Sequence, residues 1–188
     1  MFINEDNANI FSATFAGLAF IFSLISLAIN FHTSRKLKQA DILSGLNSRF
    51  DALQAERAKL LTRTTPIPPI EKDYEVHIFF DRFWSLQFDE FVAWQHGNLA
   101  DEVYRFWTFA RWRQLTNPPE DWIINGSSVK SSLQEACRRW TRQEPHGFTD
   151  RPLVNGFIDM FGEISTATRE IEVTNILNRY TRAINCAP

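Results

Sequence analysis

Arginine set beside tryptophan is the pairing in this chain that could do chemistry. The stretch "YRFWTFARWRQL" carries Arg105, Arg111 and Arg113 around Trp107 and Trp112, and "CRRWTRQ" carries Arg138, Arg139 and Arg142 around Trp140. A guanidinium presents a planar fork of donors that fits a phosphate or carboxylate, and an indole presents a flat face on which a base can stack. On a helical wheel Arg105, Phe109 and Trp112 fall at i, i+4 and i+7 with Arg113 nearby. Leu99, Val103, Phe106, Trp107 and Ala110 share another side, which reads as core. In the second segment Arg138 and Arg142 lie on the polar side and Trp140 on the apolar stripe. This arrangement predicts a ligand site for a small anion with flat rings, contacted by Arg105, Arg111, Trp112, Arg113, Arg138, Arg139 and Arg142. The plainer alternative is that Trp112 and Phe109 bury against a neighbouring helix while the arginines snorkel or pair with acids. Residues 98–188 hold eleven basic and eleven acidic residues, so there is no bulk basic patch for long nucleic acid.

Other chemistry is hard to assemble. No Gly-rich phosphate loop, GxSxG elbow, HExxH or CxxC is present. His77 and Asp81 stand at i, i+4, but two ligands without a third favour a surface hydrogen-bonded pair over a metal site. The four histidines are scattered at 32, 77, 96 and 146, and Cys137 and Cys186 form no metal or redox motif. No metal and no cofactor is expected, and a binding or effector protein is favoured over an enzyme.

The elements that must carry the arginines read as helices throughout, and no stretch alternates with the period of a strand. "EKDYEVHIFFDRFWSLQFDEFVAWQ", about 71–95, puts Val76, Phe79, Phe80, Phe83, Phe91 and Val92 at helical spacings, with an acidic polar face. "HGNLADE" breaks it, and Asn98 with Asp101 three residues on reads as the next start. That helix ends near Leu115, and a short helix around Pro119–Ile124 and the turn Asn125-Gly126 follow. The next helix places Val129, Leu133, Ala136 and Trp140 at spacings of 4, 3 and 4. A single final helix is predicted over about 152–184, burying Val154, Phe157, Phe161, Ile164, Ile171, Leu177, Tyr180 and Ile184. Seventeen Phe, six Trp and three Tyr supply ample core.

Ahead of this domain the chain changes character. Ile10 to Ile29 contains no charge, and 20 helical residues span about 30 Å, the hydrocarbon thickness of a bilayer. A secretion signal would carry a positive start and a small-residue cleavage site, whereas "MFINEDN" is acidic and Asn30-Phe31-His32 is a poor site. The reading is a transmembrane helix, with a cleaved signal and a buried helix as the alternatives. Residues 1–9 hold no Lys or Arg, while residues 31–65 hold Arg35, Lys36, Lys38, Arg49, Arg57, Lys59 and Arg63 against three acids. Basic residues stay on the cytoplasmic side, so the N-terminus is predicted outside and residues 32–188 inside. Ser12, Ala16, Ala19, Ser23, Ser26 and Asn30, spaced 4, 3, 4, 3, 4, form a stripe of small and polar residues suited to helix self-association in lipid.

Past the membrane, Leu43, Leu46, Phe50, Leu53 and Leu60 make an apolar seam on a basic amphipathic helix, able to pack on copies of itself, on the following domain or on the membrane surface. The seam is out of phase with the stripe, which predicts a bend or register change near Asn30–Ser34. Pro66, Pro68 and Pro69 mark an extended linker. The expected organisation is a tail and transmembrane helix over 1–31, an amphipathic helix over 32–63, a linker over 64–70, and an all-α cytoplasmic domain of four or five helices over 71–188.

An outside N-terminus, one span, a basic amphipathic helix and a small aromatic-rich helical domain resemble uncharacterised single-span bacterial proteins, with the closest local likeness in "FDEFVAWQHGNLADEVYRFWTFARW". The same layout resembles the small membrane effectors of type III CRISPR defence. That resemblance implies an inner-membrane homo-oligomer, a tetramer being one arrangement, whose cytoplasmic domain binds a cyclic oligoadenylate and whose membrane part then perturbs the bilayer. It transfers no site residue. The alternative function is a membrane-anchored scaffold that recruits a protein partner through the aromatic hairpin and binds no nucleotide.

Overall fold

The computed structural model describes the backbone of residues 5–62, 69–142 and 151–185. The side chains of 5–20, 69, 72, 121, 141–142 and 182–185 lie outside the described set. The protein is all-α. Among the described residues there are six α-helices: α1 (Glu5–Thr62), α2 (Pro69–Gln95), α3 (Asp101–Thr116), α4 (Val129–Arg142), α5 (Arg151–Ile164) and α6 (Glu170–Asn185), with a 3-10 turn at Glu120–Trp122. No strand is present among them beyond one isolated bridge, Ile124 to Ser127.

The chain divides into two compact units, Met1–Asp41 and Ile42–Pro188. The first is the N-terminal part of α1, and residues 21–38 are exposed on every side of the helix. The helix runs unbroken through Asn30–Ser34, so the expected register break does not interrupt it. Among the described residues no helix is long and apolar enough to cross a membrane. Residues 10–20 of the segment Ile10–Ile29 have side chains outside the described set.

The second unit begins inside the amphipathic segment. Leu46 and Leu53 are buried, and Ile42, Leu43, Phe50 and Leu60 are partly buried against the same core. Of the three surfaces open to that seam, the one it covers is the following domain. The linker at 64–70 falls mostly outside the described residues, but Pro69 opens α2. A first-turn proline suits a helix because its missing N–H would have no helical acceptor there.

Helix α2 is the centre of the unit. Phe79, Phe83, Trp84, Leu86 and Phe91 are fully buried on it, and it packs on α3, α4 and α5. Its aromatic rings continue into α5. Trp84 meets Phe161 at 5.5 Å between centroids and Phe157 meets Phe161 at 4.7 Å. Trp94 stacks on Tyr104 of α3 at 4.3 Å and 16°. Each aromatic contact adds about 0.5–1.5 kcal/mol beyond the area it buries.

The end of α2 shows why Asn98 does not start α3. Gly97 adopts φ 66, its N–H bonds Trp94 O at 2.9 Å, and Asn98 N–H bonds Ala93 O at 2.8 Å. That pair of bonds is the glycine-terminated helix stop, so Asn98 is spent closing α2. Helix α3 is capped instead by Ala100, which makes no side-chain bond.

The predicted single final helix is two helices. Ser165 Oγ and Thr166 Oγ1 turn back to Gly162 O and Glu163 O, satisfying the last carbonyls of α5. The carboxylate of Glu172 then accepts the backbone N–H groups of Thr168 and Arg169 and opens α6. Short hydroxyl side chains competing for backbone groups make this break. Ile171, expected in the core, is exposed beside it.

Candidate functional site

The arginine set is best followed from α3. Its buried face is Tyr104, Thr108, Arg111, Trp112 and Leu115; of the expected Leu99, Val103, Phe106, Trp107 and Ala110, Leu99 is buried just ahead of the helix, but Phe106 is not in the core. Phe106 is 72% exposed, whereas Val103 and Trp107 are partly buried. The wheel shows two apolar faces, and the one carrying Trp112 is the one the fold buries. The indole N–H of Trp112 donates to Ala167 O at 2.9 Å, in the turn between α5 and α6. Phe109 meets its ring edge-on at 6.4 Å.

Arg111 is only 4% exposed. Its guanidinium lies 4.9 Å from the Phe50 ring centre and 5.0 Å from that of Phe83. Nε donates to Gln87 Oε1 at 2.7 Å and a terminal nitrogen to Gln114 Oε1 at 3.1 Å. Burial pushes Arg111 down to about 10, so it is still a cation at neutral pH. Glu90, also buried, is pushed up to about 7 by burial, against the attraction of Arg111 and Arg49. Gln87 Nε2 has no partner among the described residues. This polar group tying the C-terminal part of α1 to α2 and α3 was not anticipated. Its signal was the polar pair Gln87 and Glu90 between Leu86, Phe88 and Phe91 in "SLQFDEF".

The other arginines separate. Arg105 donates to Asp101 and, at 2.8 Å, to Asn178 of α6. Arg113 pairs with Glu170 at 3.1 Å and Arg138 with Glu135 at 3.3 Å. Arg139 makes a two-pronged pair with Asp81 of α2. These pairings fall on different residues: Asp101 and Asn178, Glu170, Glu135, and Asp81. The side chain of Arg142 lies outside the described residues. The plainer alternative, arginines paired within the chain and Trp112 buried, describes the geometry.

His77 and Asp81 stand 3.7 Å apart as a surface pair. No group of three His, Cys, Asp or Glu side chains able to hold a metal occurs among the described residues. Cys137 is half-buried, and burial pushes its thiol up. Cys186 lies outside the described residues.

Grooves among the described residues of the second unit differ in character. One of about 580 Å³ is lined by Glu163, Glu172, Asn175, Asn178 and Arg179, and Arg179 is paired with Glu163. Two carboxylates to one engaged cation make it a poor seat for phosphate. A second, of about 340 Å³, lies between α1 and α2 over Leu53, Glu56, Arg82 and Leu86. The third, of about 230 Å³, contains Asp73, His77, Ser131, Glu135 and Arg139.

A different surface is apolar. Ile21, Phe22, Leu24, Ile25, Leu27, Ile29 and Phe31 are each at least half exposed on α1. Ser23, Ser26 and Asn30 of the predicted association stripe are exposed among them, while Ser12, Ala16 and Ala19 have side chains outside the described set. Comparison of the chain with known protein families, with curated proteins and with solved structures finds no match.

Proposed function

We propose that the protein is a single-span membrane protein in which α1 anchors a helical cytoplasmic domain, and that the domain recruits a protein partner as a scaffold. The observation that carries the anchor is the ring of seven large apolar side chains standing exposed over residues 21–31. Apolar surface on all sides of a helix suits lipid rather than a one-sided protein contact. The charge-free sequence continues back to Ile10, and the basic residues after Phe31 set the orientation, N-terminus outside. The small-residue stripe supports self-association in the bilayer.

Scaffolding draws more support than sensing of an anionic nucleotide such as a cyclic oligoadenylate. Arg105, Arg111, Arg113, Arg138 and Arg139 already have partners within the chain. A phosphate would have to displace those carboxylates and amides, and Trp112 would have to leave the core. Phe106 of α3 and Tyr74 of α2 are exposed aromatic side chains and Ile70 of α2 is an exposed aliphatic one, and such residues suit a protein contact.

Alkaline extraction of membranes from cells expressing the full chain tests the anchor. The chain should stay with the membrane, and Phe22→Asp, Ile25→Asp and Ile29→Asp together should release it. Release of the unaltered chain sinks the anchor. Calorimetry of the full chain against linear and cyclic oligoadenylates tests the domain. Absence of heat is expected, and heat that disappears in Arg113→Ala or Arg138→Ala would restore the sensor and remove the scaffold.

A further inference from the structure

We infer that Arg35, Lys36 and Lys38 form a collar that binds the headgroups of anionic phospholipids. The inference rests on the membrane-span reading and adds a lipid class to it.

The collar follows the exposed apolar segment directly. Arg35 is four residues beyond Phe31 on the same helix, about 6 Å along its axis at 1.5 Å per residue. The three cations occupy four consecutive positions, a rise of about 4.5 Å. That fits inside the polar layer of a bilayer, about 5–8 Å deep on each side of the hydrocarbon. At 100° per residue, Lys36 lies about 100° to one side of Arg35 and Lys38 about 60° to the other, a spread of about 160° around the helix. The charges therefore point outward in different directions. A pocket on a protein gathers its cations on one side, whereas a headgroup plane surrounds the helix and meets them all. Long Lys and Arg stems also reach along a helix to place their charge in that plane.

Their electrostatic surroundings point the same way. All three are exposed. Among the described residues none of them has a hydrogen-bond or ion-pair partner. Surface arginines of the second unit differ: Arg49, Arg82, Arg113, Arg138 and Arg179 each meet a carboxylate. No acid stands between Phe31 and Ala40, and His32 adds a fourth group able to carry positive charge. Cations left unneutralised beside an apolar span attract anionic lipid, each Lys or Arg near the surface being worth about fivefold in association.

The test is spin-label resonance on the full chain reconstituted in a zwitterionic bilayer with a trace of labelled lipid. Labelled phosphatidylglycerol and labelled phosphatidylcholine are compared. A motionally restricted component with both labels reports a protein surface in the hydrocarbon, and the ratio of the two reports headgroup preference. Phosphatidylglycerol should be favoured about fivefold. The preference should fall to about one in Arg35→Gln/Lys36→Gln/Lys38→Gln and in high salt, where exposed charges are screened. Equal restriction of both labels by the unaltered chain overturns the collar and leaves the span standing. A preference that survives the triple substitution overturns the collar as well. No restricted component with either label removes the span and the collar together.

Discussion

At the level of single residues, the central cation of the fold is Arg111, and its neighbour Glu90 is the group whose titration matters most. Burial raises Glu90 from 4.5 to about 7, so the folded chain holds that proton more tightly than the unfolded one. The contribution of Glu90 to stability should be fullest below about pH 4.5, fall as pH rises towards 7, and be flat above. The shift corresponds to roughly 3 kcal/mol. Urea midpoints at pH 5 and pH 8 measure this, and Glu90→Gln should remove the difference. A midpoint that rises with pH over that window would show that Glu90 is not held in its neutral form. The segment "FARWRQL" could not reveal Arg111 as a core residue. A guanidinium over aromatic rings reads the same whether the rings belong to a ligand or to Phe50 and Phe83, which are distant in sequence.

At the level of elements, α3 carries a direct test of which apolar face is inside. Trp112→Ala should cost about 3–5 kcal/mol, because it removes a packed indole and strands the Ala167 carbonyl. Phe106→Ser should stay within about 0.5 kcal/mol of the parent, as an exposed substitution does. The reverse order in thermal or urea unfolding would place the other face in the core. The N-terminus of α6 makes a second test. Backbone N–H of Thr168 and the side chain of Arg169 hold the Glu172 carboxyl down at about 2. Its contribution should be present above about pH 4.5 and vanish as pH falls towards 2, the opposite sense to Glu90. Amide exchange at residues 168–173 should quicken in Glu172→Gln, and unchanged exchange would show that the cap does not hold the helix. Helices α2 and α4 were legible because each has apolar spacing that only one packing satisfies. Helix α3, apolar on two sides, was not. The α5–α6 break was missed because Ser, Thr and Ala continue a helical pattern as readily as they end it. What ends it is the return of the Ser165 and Thr166 hydroxyls to the last carbonyls of α5, and Glu172 then opens the next helix.

For the whole molecule, the second unit starts at Ile42, so the domain includes the last part of α1. Besides the buried leucines, the contacts that fasten that part include Arg49 to Asp89, Glu56 to Arg82, Arg57 over Trp122, and Phe50 against Arg111. On the proposed reading, association in the membrane is a separate matter and rests on the small-residue stripe. Ala16→Leu with Ser23→Leu should weaken self-association in a bilayer, measured by energy transfer between labelled chains, because bulk holds backbones apart. Unchanged transfer would assign assembly to the domain.

The turn at Asn125-Gly126 sets a clock on the protein. Both residues take positive φ, 51 and 80, and Ile124 and Ser127 close the turn with two bonds of 2.9 Å. The Asn125 amide donates to Asp73 near the start of α2. An asparagine followed by glycine is the pair most prone to lose its amide with age, since no side chain shields the glycine nitrogen. The bond to Asp73 restrains that amide and slows the loss. Once lost, the donor becomes a carboxylate facing a carboxylate, and the attraction fastening the turn to α2 becomes repulsion. Old preparations should therefore accumulate a more acidic form whose first loosened contact is at Asp73.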